Sequence, residues 1–174
     1  ASELAQWAVA EIDSLAAGFS AARADLAPRI DALRGEVRAA RAAAHAALGT
    51  WAERCVSEAR AVDPAARVVK LAVEVGDGLH VHDALTALAQ SASAIAPNAI
   101  AVLGVRQGER AQLLLQAGPE LASGVDVRPA LAAALPLIEG RGGGKPDRAQ
   151  GSGSQPAQLH KALEAAATVL QEGR

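Results

Sequence analysis

The chain has 174 residues, enough for one ordinary domain or a small domain with an appendage. Its formal net charge is −2, which excludes a uniformly basic nucleic-acid binder, so any RNA contact must come from a local patch. Apolar residues make up 51% but aromatics only 2%, and the single cysteine, Cys55, excludes an internal disulfide framework.

Up to Asp63-Pro64 the sequence reads as helix, favoured by its alanine content. Ile12, Leu15, Phe19, Ala22 and Leu26 follow alternating steps of three and four, the spacing of a coiled-coil seam. The rhythm slips at Ala27-Pro28 and resumes with Ile30, Leu33, Val37, Ala40 and Ala44. A further slip leads into Leu48, Trp51 and Cys55. Proline lacks the donor for the preceding turn and restricts the residue before it. Two helices meeting near Pro28 are therefore expected, with a single kinked helix as the alternative. Residues 1–63 form this helical, coiled-coil-like arm.

After Pro64 the period changes. Arg67 to Val75 alternates and is β-branched, which predicts a strand closed by Gly76-Asp77-Gly78. His82 to Ala96 reads as helix. Ala99 to Val105 and Ala111 to Gln116 read as an antiparallel hairpin turning at Gln107-Gly108-Glu109. Pro129 to Glu139 predicts a helix whose end Pro136 distorts. A Gly-rich loop covers residues 140–154, and Pro156 to Glu172 reads as a last amphipathic helix. Residues 64–174 are thus expected to form a small α/β domain with one sheet and packed helices. The arm carries 7 basic and 9 acidic residues and the domain 10 of each, so neither half is basic.

The loop is the most informative stretch. Gly142, Gly143 and Gly144 free the backbone to expose N–H groups to an anion or a nucleotide. Arg141, Lys145 and Arg148 surround them with positive charge, and Gln150 offers a donor and an acceptor. A flexible linker has no use for an ordered Lys-Pro-Asp-Arg-Ala-Gln between its glycines. A nucleotide P-loop needs Ser or Thr after Gly-Lys, whereas Pro146 follows here.

GGGKPDRAQGSG resembles the GGGRPDxAQxGG signature of the DHH-associated domain in its alanyl-tRNA synthetase form. The RVVKLAVEV strand, a helix, the NAIAVLGVRQGERAQLLLQAG hairpin and GVDVRPAL fall in that family's order, and a helical segment commonly precedes the domain. The resemblance departs at Lys145, where arginine is more frequent, at Arg148, where methionine is common, and at Ser152. It implies a non-catalytic tRNA-binding and assembly module that contacts the tRNA elbow and links aminoacylation with editing. The implied partners are alanine-specific tRNA, the rest of the synthetase, and a second copy through the arm. The implied RNA-facing residues are Arg141, Gly142, Gly143, Gly144, Lys145, Arg148 and Gln150. No cofactor is expected in this segment, although the full-length enzymes use ATP, magnesium and zinc. Related phosphodiesterases carry a substrate-engaging histidine in a similar loop, but no histidine lies between His82 and His160.

Other features carry less. Arg34, Arg38 and Arg41 share a helix face, either as a phosphate-facing stripe or as the solvated side of a coiled coil. His80 and His82 would share one strand face, giving two metal ligands without a third. Cys55 falls on the helical seam as a small apolar residue. The zinc-ligand sets of an editing hydrolase are absent, so no active site is expected. A free-standing editing-type hydrolase and a purely structural dimerisation module remain the rival readings. No apolar run approaches the roughly 20 residues that cross a bilayer, and no signal peptide is evident, so a cytoplasmic protein is expected. The absence of methionine reads as a piece of a longer chain.

Overall fold

The computed structural model describes residues 2–63, 65–76 and 79–172, with side chains described at Ser14 and from Ala27 onward. The seam positions Ile12, Leu15, Phe19, Ala22 and Leu26 therefore lie outside the described side chains, as do Pro64 and the Asp77-Gly78 part of the first turn. Two units of contact are present, residues 1–42 and 43–174.

Helix α1 (Ser2–Val62) runs through Pro28 without a break. This corrects the expectation of two helices meeting there. The proline forfeits one backbone hydrogen bond at a cost of about 3 kcal/mol. Alanine, leucine and arginine on both sides have high helix propensity, and the loss stays local. Within the first unit, Ile30, Leu33 and Val37 remain 41%, 59% and 49% exposed, so these three seam positions are not covered by the described residues.

The boundary also differs from the expected one at residue 63. Residues 43–62 of α1 belong with the domain, because Ala52 and Val56 are fully buried in its core and Leu48, Trp51 and Cys55 pack against it. Arg60 extends this docking by donating to the Ala66 carbonyl and to Asn98 Oδ1.

The domain continues as β1 (Val68–Glu74), α2 (Val81–Ile95), β2 (Ile100–Gln107), β3 (Arg110–Ala117) and α3 (Arg128–Ala134). A 3-10 turn at Leu135–Ile138 leads into β4 (Arg141–Lys145) and β5 (Arg148–Gly153), and a second at Pro156–Gln158 opens α4 (Leu159–Glu172). The five strands lie in the order β1-β2-β3-β5-β4. The β1–β2 pair is parallel, joined through α2, and the remaining pairs are antiparallel. The β2–β3 turn uses Gly108 at φ 52°, a conformation open mainly to glycine.

Side chains alternate across each strand, and this assigns the two cores. Ala101, Leu103, Val105 and Leu114 face α2 and the end of α1. Val102, Leu113, Leu115 and Ala149 face α3 and α4. Fully buried leucines such as Leu88, Leu103 and Leu113 each stabilise the fold by about 2–5 kcal/mol relative to alanine.

Candidate nucleic-acid interface

The stretch expected to be a loop is a β-hairpin, and this is the main correction to the sequence reading. β4 pairs with β5 from Arg141↔Ser152 to Lys145↔Arg148, leaving only Pro146-Asp147 as the turn. Glycine-rich β4 has poor strand propensity, so sequence pattern alone does not predict it. Pairing supplies what propensity lacks: β5 is laid down along β3, with Leu113↔Gly151 and Leu115↔Ala149 in register. The turn is tied at both carbonyls, since Ala117 N–H donates to Asp147 O and Val127 N–H donates to Pro146 O, each at 2.8 Å.

The segment entering α3 holds the second tie in place. Asp126 Oδ1 accepts from the Arg128 backbone N–H at 3.0 Å and from Arg128 Nε at 2.9 Å, while Oδ2 accepts from Nη2 at 2.7 Å. These hydrogen bonds, led by the side-chain pair, lower the Asp126 carboxyl to about 2 and raise Arg128.

Alternation divides the hairpin between two faces. Gly142 and Gly144 fall on the α3 side, where a Cβ would collide with the backbone of Gln150 and Gly151, or of Arg148 and Ala149. Their missing side chains permit close strand approach. On the α2 side three strands form a grid whose rows are Gln112, Ser152 and Arg141, then Leu114, Gln150 and Gly143, then Gln116, Arg148 and Lys145. Helix α2 lies over β2 and β3 and covers Leu114 and Gln116, the latter donating to Ser93 Oγ at 3.2 Å. The β5 and β4 columns stay open.

Arg141, Lys145, Arg148 and Gln150 are all exposed, and the three cations make no ion pair among the described residues. No carboxylate occupies a grid position, and Asp147 sits in the turn. Nothing lies within 4 Å of where a Gly143 side chain would project. His82, Gln112, Arg141, Gly142, Gly143, Gln150, Gly151 and Ser152 line a shallow recess of about 330 Å³. The structure thus gathers the expected cations and Gln150, and adds His82, Gln112 and Ser152. Gln112 was within reach of the sequence, because its alternation with Leu113 and Leu115 marks the opposite strand face. Ser152 and His82 required the hairpin pairing.

Arg34, Arg38 and Arg41 lie in the other unit, on α1. Arg34 pairs with Asp31 at 3.4 Å and Arg38 donates to the Arg34 carbonyl at 3.3 Å. His80 directly precedes α2 and His82 is in its first turn, so they do not share a strand face. No cluster of three His, Cys, Asp or Glu suited to a metal occurs among the described residues. Nor is any described helix long and apolar enough to cross a membrane. A larger cleft of about 730 Å³ lies elsewhere, between Arg67, Ile100, Asp126 and Leu170, but its mixed charges form no comparable patch.

A mixed five-stranded sheet flanked by helices, with a Gly-rich hairpin at its edge, defines the class as a small α/β domain on a long helix. The DHHA1 domain family matches residues 68–172, and the chain belongs to that family. The alanine–tRNA ligase of Anaeromyxobacter dehalogenans is 38% identical over 104 residues, covering 60% of this chain and 11% of that protein. The ligase of Idiomarina loihiensis is 38% identical over 73 residues, 42% of this chain and 8% of that protein. The chain therefore corresponds to roughly a tenth of the length of these relatives. In fold it is similar to the C-Ala domain of Aquifex aeolicus alanyl-tRNA synthetase, with a TM-score of 0.51 and 18% identity over 60% of this chain and 93% of that one. Residues 68–172 are thus a DHHA1 domain, similar in sequence to part of alanine–tRNA ligases and in fold to the C-Ala domain.

Proposed function

We propose that this segment is a non-catalytic tRNA-binding and assembly module of an alanine–tRNA ligase. It holds the elbow of alanine-specific tRNA while the aminoacylation and editing modules, elsewhere in the parent protein, do the chemistry in the cytoplasm. The carrying observation is the open hairpin face, on which Arg141, Lys145 and Arg148 stand without carboxylate partners among the described residues. Because the whole chain is near neutral, steering over distance is weak and affinity modest. Neutralising two or three phosphates gives a slope of about −2 in log affinity against log salt. Changing Lys145 and Arg148 together to Ala should weaken binding of a tRNA transcript and flatten that slope. The circular dichroism spectrum should not change, because both side chains are exposed. Unchanged affinity and slope would remove the hairpin from the RNA surface and redirect attention to Arg34, Arg38 and Arg41.

The segment brings no cofactor of its own in this reading. Purified protein incubated with zinc and seryl- or glycyl-tRNA should leave the ester intact. Zinc-dependent deacylation would instead favour the editing-hydrolase reading. The exposed Ile30, Leu33 and Val37 support a second role for the arm, as the seam of a homodimer.

A further inference from the structure

We infer that the hairpin face reads the sugar edge of a folded RNA helix, with Gln112 and Gln150 bonding 2′-hydroxyl groups between the phosphates held by Arg141, Lys145 and Arg148. This rests on the RNA-binding reading above and narrows it from charge attraction to a class of RNA surface.

The first support is what the face lacks. Proteins that hold single-stranded RNA stack successive bases on aromatic rings. Trp7, Phe19 and Trp51 are the only Phe, Tyr or Trp residues, and all belong to the helix α1, none to the sheet. His82 alone offers a ring, at the margin of the recess, and one ring does not make a stacking platform.

The second support is what the face offers. Gln112 and Gln150 make no side-chain hydrogen bond among the described residues, unlike Gln107 and Gln116, which are spent on Leu79 and Ser93. A carboxamide both donates and accepts, as does a 2′-hydroxyl, so each can satisfy the other. Ser152, between Gln112 and Arg141 in its row, adds a hydroxyl of the same kind.

Spacing supplies the third. Arg141 and Lys145 are four residues apart on β4, about 13 Å along the strand, and Gly143 between them projects nothing. The result is two cations flanking a low saddle of amide and hydroxyl groups. The wide, shallow minor groove of A-form RNA, lined by 2′-hydroxyls and bordered by phosphates, complements that relief. A DNA helix has the phosphates without the hydroxyls.

The test compares a tRNA transcript, its all-2′-deoxy counterpart of the same sequence, and a 20-nucleotide oligouridine. The probes are titrated against the wild type, the Gln112→Ala/Gln150→Ala variant and the Lys145→Ala/Arg148→Ala variant. Wild type should prefer the transcript over its deoxy form by about tenfold. The glutamine variant should lose that preference while binding the deoxy form as before. The lysine–arginine variant should weaken on both and keep the ratio. An RNA-to-DNA ratio of one in the wild type overturns the inference, as does a ratio unchanged in the glutamine variant. Oligouridine bound as tightly as the transcript also overturns it. Equal competition by polyglutamate would mark the face as a docking surface for acidic protein and overturn it too. If the lysine–arginine variant alone leaves every affinity unchanged, the hairpin is not the RNA surface, and that outcome is distinct from failure of the hydroxyl readout.

Discussion

Gly143 differs from the glycines beside it although the three are consecutive. A side chain at 143 would project into open space, whereas one at 142 would run into β5. Gly143→Val should therefore fold and melt close to wild type yet bind tRNA more weakly, because its bulk fills the saddle between the cations. Gly142→Val should instead cost about 3 kcal/mol or more in stability, through forced strand separation. Thermal melts paired with tRNA titrations separate the two, and equal melting temperatures would show that the strands tolerate a side chain at both positions. Asp126 makes a prediction of another kind. Its folded-state carboxyl lies near 2, below its ordinary value of 3.8. Stability from the Arg128 contact is thus complete above about pH 4 and drains away as pH falls toward 2. Asp126→Asn should melt below wild type at neutral pH, and the gap should narrow on acidification below pH 4. A gap constant across that range would mean that the ion pair contributes nothing to folding.

At the scale of elements, the parts with a clear period were the legible ones. The alternation of Val68–Glu74, the helical spacing of Val81–Ile95 and the Gly108 turn all lie within a residue or two of expectation. The β4–β5 hairpin was not legible as structure, because three of the five β4 residues are glycine and its existence depends on a partner strand. Its residues were legible as a family signature all the same, since their order of charge and glycine resembles that of the DHHA1 domain that matches here. Pro28 misled for the opposite reason: a strong local signal was outweighed by the helix propensity around it. The seam of α1 suggests its own experiment. Leu33→Asp together with Val37→Asp places charge on two exposed apolar positions. In a dimer joined through this seam, the variant should sediment as a monomer and lose helicity. A wild type and variant of identical mass and melting curve would show that the seam packs against nothing.

Across the whole molecule, the division of labour follows the packing. The last third of α1 is fastened into the domain through Ala52 and Val56, while residues 27–42 keep their apolar side chains outward. The change of sequence period near residue 64 follows the end of the helix at Val62, but it could not reveal that the helix begins to serve the domain some twenty residues earlier. Helical spacing alone assigns Trp51 and Cys55 to the seam, whereas their packing against the domain core is visible only once the β1–α2 layer is placed.

The two ties on the hairpin turn have a thermodynamic consequence. With the carbonyls of Pro146 and Asp147 both engaged by main-chain donors, the segment carrying Lys145 and Arg148 has already surrendered its backbone freedom before any ligand arrives. In the proposed complex, association then spends entropy only on the outer bonds of a few side chains, which favours RNA binding by a patch of three cations on a near-neutral domain. A glycine-rich segment would ordinarily exchange its amide hydrogens quickly. Here the Ala117 and Val127 amides, which close the ties, should exchange as slowly as those of the central strands, with or without tRNA.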